Sequence, residues 1–249
     1  MNLLLHQARF DLLGVKRNTR ARVMAFAFPI LLLVILAGLA SGTTTVNGDT
    51  IALKRFYVPG IIAMALMGSA FATVVATVVG RRENGVFKRR RATPVPAWVI
   101  VGGQALATVA LCAATTTALL VVAAVAYDIT IGPTALLGVA LAVLAGAIVF
   151  SALAYAVSTL VPNVDAAQPT VQLTMFPIYF ISGIWFTTDD MPKALQTIGE
   201  LLPVQPVADL LHRAFLDPGV IARDVAVLAV WTAVALIVAA KRFSWLPKS

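Results

Sequence analysis

Between Gly80 and Val101 the chain reads GRRENGVFKRRRATPVPAWVIV, in which six cations, Arg81, Arg82, Lys88, Arg89, Arg90 and Arg91, surround one carboxylate, Glu83. Such a density of guanidinium and ammonium groups binds anions, and the first chemistry to test is phosphate. A nucleotide loop needs two glycines five apart followed by lysine, so that backbone amides and an ammonium cradle the phosphates. Gly80 and Gly85 have that spacing, but Val86 stands where the lysine belongs. Gly102-Gly103-Gln104 is similar to the end of an ATPase signature, yet it opens an apolar run and reads as helix packing. There is no HExxH motif, no Ser-His-Asp arrangement and no aspartate pair in an apolar segment. The lone Cys112 excludes an intrachain disulfide and a cysteine metal site. His6 lacks a second ligand at helical spacing, and His212, beside Arg213, reads as an exposed or interfacial polar residue. The chain therefore carries no catalytic group, metal or nucleotide site of its own.

Charge alone in the 81–91 run is explained by membrane lipid, since each basic residue near an anionic leaflet gains about 1 kcal/mol. Lipid leaves Glu83, Gly85 and the Pro94/Pro96 pair unexplained. Glu83 sits early in a short helix, where a carboxylate suits the amide end. Phe87 gives that helix an apolar face, the prolines redirect the chain, and Trp98 anchors the next segment at an interface. The spacing predicts a short helix with a charged outer face, a docking element for another protein.

The elements that position this stretch are membrane spans. With 60% hydrophobic and only 12% charged residues and a mean hydropathy of +0.91, the composition lies far from that of soluble domains. A net charge of +8 would suit nucleic acid, but in a polytopic protein basic residues set orientation and meet lipid. Apolar runs of span length predict six transmembrane helices, at about 23–40, 56–80, 99–127, 134–159, 169–186 and 225–240. The fold class expected is an all-α polytopic membrane protein forming a single transmembrane domain over 1–249. Residues 1–22 alternate leucines with arginines, the pattern of an interfacial amphipathic helix. In the second span Gly60, Gly68, Ala72, Ala76 and Gly80 form a small-residue ridge for close helix approach. Pro177 is expected to kink or break the fifth.

Fourteen lysines and arginines fall on the side of the N-terminus and five on the other, which places both termini in the cytoplasm. The long outer segment, 187–224, shows two amphipathic stretches. Asp190 is expected to cap the first, with Pro192 in its opening turn. Two short helices dipping into the outer leaflet or packed as a lid fit this pattern, with Leu195, Leu202, Leu211 and Phe215 as an outer gate.

Ionisable residues are nearly absent from the span interiors. Ion-coupled carriers need such groups at membrane depth to hold their ion. Energy for uphill transport must enter from outside the bilayer. Polar Gln168, Gln172 and Thr174 with Phe176 and Phe180 mark the fifth span as a wall of a substrate pathway, though interhelical hydrogen bonding serves glutamine and threonine equally well.

Three stretches resemble one family: RRENGVFKRRRATPVP, NVDAAQPTVQLTMFPIYFISGIWF and MPKALQTIGELLPVQPVADLLHRAF. They are similar to the coupling helix, fifth span and outer segment of the membrane subunits of type-2 ATP-binding-cassette exporters, in particular the short bacterial drug and antibiotic permeases. The resemblance implies six spans, a second permease protomer, either a copy or a paralogue, and two cytoplasmic ATPase subunits that bind ATP and Mg. It also implies a bacterial inner-membrane location. Carried over, Arg82, Glu83, Gly85, Phe87, Lys88, Arg89, Arg90 and Arg91 correspond to the ATPase-coupling helix. The cargo implied is drugs, antibiotics or lipid-like amphiphiles. The alternatives are polysaccharide or glycoconjugate export, or a membrane scaffold that transports nothing.

Overall fold

A computed structural model describes residues 3–46, 49–91, 95–185, 191–216 and 222–242. Pro94, the Asp190 cap, Phe186 and the tail beyond Arg242 lie outside the described residues. Helix α1 is Leu3–Arg17 and α2 is Thr19–Arg22; a π-helical turn, Val23–Ala27, leads into α3, Phe28–Leu39. Next comes a β-hairpin, β1 Thr43–Val46 antiparallel to β2 Asp49–Ala52, with Thr43 opposite Ala52. The Asn47-Gly48 dipeptide between two threonine- and isoleucine-bearing runs is the sequence signal for a hairpin.

Helix α4, Leu53–Leu66, continues through a π-helical turn, Met67–Ala72, into α5, Thr73–Glu83. Together they make one rod of 31 residues, about 46 Å at the helical rise. This rod is the centre of the bundle: its most apolar window is 72% buried, against 17% for the last helix. After Asn84-Gly85 come α6, Val86–Arg91, then α7, Ala97–Tyr127, and α8, Pro133–Ser158. Helix α9 is Val164–Ile181, α10 Lys193–Leu201, α11 Val204–Leu216 and α12 Ala222–Arg242.

Among the described residues four helices are long and apolar enough to cross a membrane, Leu53–Glu83, Trp98–Tyr127, Pro133–Ser158 and Ala222–Arg242. Ala25–Leu39 is apolar but shorter. The protein is thus a helical polytopic membrane protein, while length and composition alone carry four spans rather than six. Helix α9 begins about five residues before its expected start because the Asn163 side chain accepts the Ala166 N–H at 2.9 Å and caps it there. Neither Pro169 nor Pro177 breaks it. Both prolines lie on its exposed side, where the crowding of a missing donor is relieved.

The helices run so that the bundle has a basic end and an acidic end. At the basic end stand α1, the end of α5, α6 and the last turn of α12; at the other stand α10, α11 and the first turn of α12. Helix α11 is built into the wall rather than laid over it. Ala214 meets Gly138 and Val207 meets Gly146 along α8, a distance of about 12 Å of shared axis. Leu211 is fully buried and Phe215 is 4% exposed, so these two expected gate residues are core. Leu195 is exposed on α10 and Leu202 is half-buried. His212, read from the sequence as an exposed or interfacial polar residue, is buried against Phe56, its ring nitrogens 2.9 Å from the Ala208 carbonyl and 3.2 Å from the Phe56 carbonyl. Its i to i+4 place among Ala208, Leu211 and Phe215 puts it on the apolar face of α11, which the rod covers.

The small-residue ridge divides in two. A Cβ on Gly60 would stand 2.8 Å from the Ile184 carbonyl oxygen, whereas one on Gly68 would meet nothing within 4 Å. Gly60→Val is expected to destabilise the purified protein by about 1–3 kcal/mol through overpacking. Gly68→Ala is expected to be neutral or stabilising by up to about 1 kcal/mol through helix propensity. Thermal melts of the two variants in detergent check this.

Candidate functional site

The site is assembled where α5 ends. Arg82 follows an apolar helix, and helical geometry turns its side chain inward, where it is 2% exposed. A buried guanidinium must spend its donors on acceptors. Nη1 donates to the Ser158 carbonyl at 2.9 Å, and Nη2 donates to the Val161 carbonyl and, at 3.0 Å, to that of Pro162. These carbonyls belong to the end of α8 and the turn after it, where helical partners run out. The next residue, Glu83, accepts the Val164 N–H at 2.6 Å, the first residue of α9. A carboxylate on free amides at a helix start is favourable in both hydrogen bonding and dipole. Two consecutive side chains thus fasten the end of α5 to the α8–α9 junction.

A second fastening joins α1. Asp11 is 5% exposed, and its carboxylate receives Arg81 Nη2 and, at 2.9 Å, the amide of Gln7 one turn earlier. Arg81 Nη1 also donates to Gln104 Oε1 of α7 at 2.9 Å. Arg90 of α6 donates to Gln7 Oε1 at 3.0 Å. Burial, and then the neighbouring Arg81, hold the Arg90 guanidinium below its usual range, with Asp11 opposing. One polar cluster therefore ties α1, α5, α6 and α7. Helix α1 reaches it because Gly102 and Gly103 leave room for Leu4 and Gln7, which is why α1 lies packed on α7. The membership of Gln7, Asp11 and Gln104 was not foreseen. An aspartate inside a basic, leucine-rich helix, four residues after a glutamine, is the signal that was available.

Gly85 has φ +64°, the left-handed region that favours glycine, and it turns the chain between α5 and α6. Phe87 is 4% exposed and roots α6 in the core. Lys88 and Arg89 point outward, and Arg89 also caps the turn by donating to the Asn84 carbonyl at 3.2 Å. Of the expected coupling residues, then, Arg82 and Phe87 face inward, Glu83 is exposed and bonded to the start of α9, and Lys88 and Arg89 face solvent; the Arg91 side chain lies outside the described residues.

On α9 the expected pathway residues share a side. Gln168, Gln172, Phe176 and Phe180 recur every fourth residue, and all four are exposed. The Phe176 and Phe180 rings lie 5.5 Å apart. Thr174 is half-buried and donates to the Thr170 carbonyl at 2.8 Å, so its hydroxyl is spent within the helix. At the acidic end, burial and then the neighbouring Asp224 push the Asp209 carboxyl up to about 7, against the pull of Arg213.

Residues 42–241 match the model of the ABC-2 family transporter protein. The chain belongs to the ABC-2 transporter family. Relatives of this ABC-2 chain include the Bacillus subtilis (strain 168) transport permease YvfS, 24% identical over 82% of this chain and 81% of that one. Nodulation protein J of Sinorhizobium fredii is 29% identical, and that of Neorhizobium galegae 27%, each over 74% of this chain and 71% of the relative. As an ABC-2 permease it is an integral membrane protein of a transporter family, and membership implies ATPase partner subunits.

Two expectations follow from the site. Asp11→Ala leaves Arg81 without its carboxylate and is expected to cost about 3–5 kcal/mol. Asp11→Ala with Arg81→Met is expected to recover most of that, a double-mutant cycle read by thermal denaturation. Asp209, with its carboxyl raised to about 7, binds its proton more tightly folded than unfolded. Its contribution is complete below about pH 4 and is lost as pH rises towards 7. Asp209→Asn is expected to stabilise the protein at pH 8 by on the order of 1–3 kcal/mol and to do nothing at pH 4; melts across that range check the sign.

Proposed function

We propose that the chain is the permease subunit of an ATP-driven exporter of amphiphiles, drugs and antibiotics among them, with six spans and both termini cytoplasmic. The shorter Ala25–Leu39 segment, extended through its π-helical turn, and α9 supply the two spans beyond the four that length and composition carry. Two copies of a cytoplasmic ATPase dock on α6, and the permease pairs with a second protomer. Helices α10 and α11 form a re-entrant pair on the outer side.

The observation that carries this reading is the double fastening of α5 to the α8–α9 junction, by Arg82 to the end of α8 and the turn after it and by Glu83 to the start of α9. Lys88 and Arg89 present charge to the ATPase, and Phe87 and the Asp11 cluster make α6 move with α1, α5 and α7. Displacement of α6 on ATP-driven closure is then delivered through Arg82 and Glu83 to α9. That helix carries the Gln168, Gln172, Phe176 and Phe180 side, which has no lipid-compatible reason to hold two glutamines. It faces the second protomer across the pathway, with aromatic rings for the apolar part of the cargo and amides for its polar head. A polar head also admits a glycoconjugate, which the transport panel includes.

Export per ATP hydrolysed is measured in vesicles holding the permease and its ATPase, with dye-like drugs and glycolipids as cargo. Lys88→Glu with Arg89→Glu is expected to abolish co-purification of the ATPase. Glu83→Ala is expected to keep co-purification and hydrolysis and to lower export per ATP roughly tenfold or more, since a charge-assisted hydrogen bond of about 1.5–3 kcal/mol is lost. Unchanged export by Glu83→Ala sinks the transmission path; export of neither cargo class by the intact protein sinks the exporter.

A further inference from the structure

The basic end contains a cleft of ≈ 230 Å³ lined by Val78, Arg81, Phe87, Ile100, Val101, Tyr155 and Ala240. Its floor is the end of α5 and α6; its sides are α7, α8 and the last turn of α12. The guanidinium of Arg81 that borders it is already occupied by Asp11 and Gln104, so the interior offers hydrocarbon contact and little net charge. The chain beyond two of the lining residues is basic: Phe87 is followed by Lys88 and Arg89, and Ala240 by Lys241 and Arg242, all four exposed. Val101, which lines the cleft, is 43% exposed, and on the same two helices Trp98 is 63%, Leu236 52% and Ile237 54% exposed.

An apolar slot whose α6 and α12 walls each run on into two exposed cations, with exposed apolar side chains on α7 and α12, has the chemistry of a lipid rather than of a soluble anion or a peptide. We propose that this cleft binds one anionic glycerophospholipid of the cytoplasmic leaflet, an acyl chain lying in the slot and the phosphate meeting Lys88 and Lys241. The leaflet assignment rests on the orientation proposed above. The lipid bridges α6 to α12. Bound there it adds α12 to the body that moves with α6.

The test uses the purified full-length chain in detergent, without ATPase or cargo, and counts retained phospholipid by native mass spectrometry during titration with phosphatidylglycerol or phosphatidylcholine. One phosphatidylglycerol is expected to be held in preference to phosphatidylcholine. Lys88→Gln with Lys241→Gln is expected to weaken phosphatidylglycerol about thirtyfold, the loss of two cation contacts, and to remove most of its preference over phosphatidylcholine, whose quaternary ammonium already offsets its phosphate. Ala240→Trp fills the slot and is expected to abolish retention of both lipids. Val101→Trp, at the exposed lip, repeats the block should Ala240→Trp fail to fold. Equal retention of the two lipids by the native chain overturns the site. So does full retention by the blocked variants, which leaves only diffuse charge attraction, or displacement of the lipid by glycerol phosphate, which means an anion site without a chain slot. Micelles have no sidedness and no transport is measured, so failure here is distinct from failure of the orientation or of the exporter.

Discussion

A guanidinium buried at the end of an apolar helix cannot remain unpaired, and around Arg82 that constraint organises the basic end of the bundle. Its three carbonyl acceptors come from Ser158, Val161 and Pro162, where a helix has ended and backbone oxygens lack partners. The hydrogen bonds between them offset both the cost of burying the charge and the cost of leaving those carbonyls open. What results is a joint whose position is set by hydrogen-bond geometry rather than by packing alone. Because Glu83 is adjacent in sequence, its carboxylate reaches the first amide of α9, and the joint acquires a second axis.

The joint explains why the neighbouring polar cluster has the members it has. Arg81 sits about 100° around the helix from Arg82, so it cannot share those carbonyls and needs another partner. Asp11 provides it, and α1 is thereby drawn onto α7 over Gly102 and Gly103. The same cluster takes in Gln7 and Arg90, so α1, α6 and two long apolar helices share one set of charges. Partial burial makes such a network costly when incomplete and firm when satisfied.

The acidic end is held differently. There α11 lies along α8 through close contacts at Gly138 and Gly146, with Leu211 and Val207 fully buried. Arg55 donates to the Phe215 carbonyl at 3.0 Å, and Trp231 to that of Leu201 at 2.7 Å, closing the ends of two short helices. Packing of small against branched side chains dominates at this end, and charged groups dominate at the other. The bundle is therefore stiff by two mechanisms, and the rod from Leu53 to Glu83 connects them.

Composition and span-length apolar runs determined that this is a helical membrane protein, and the long helices α7, α8 and α12 stand within a few residues of where hydropathy placed them. Residue types alone also determined that no nucleotide loop is present and that the 81–91 stretch is chemically distinct. The directions of its side chains were decided only by the tertiary structure. Arg82 and Lys88 have the same charge and the same sequence neighbourhood, yet one is buried among carbonyls and the other meets solvent, because facing is set by which helix happens to lie alongside. Leu211 and Phe215 read as part of an outer gate for the same reason: an amphipathic pattern says that one side is covered but not by what. Asp11 and Arg81 are separated by 70 residues, and a pairing at that distance exists only once α1 has been laid against α7. Hydrophobicity is a local property of each segment and can be summed along the chain; a hydrogen bond between distant segments is a property of their arrangement in space.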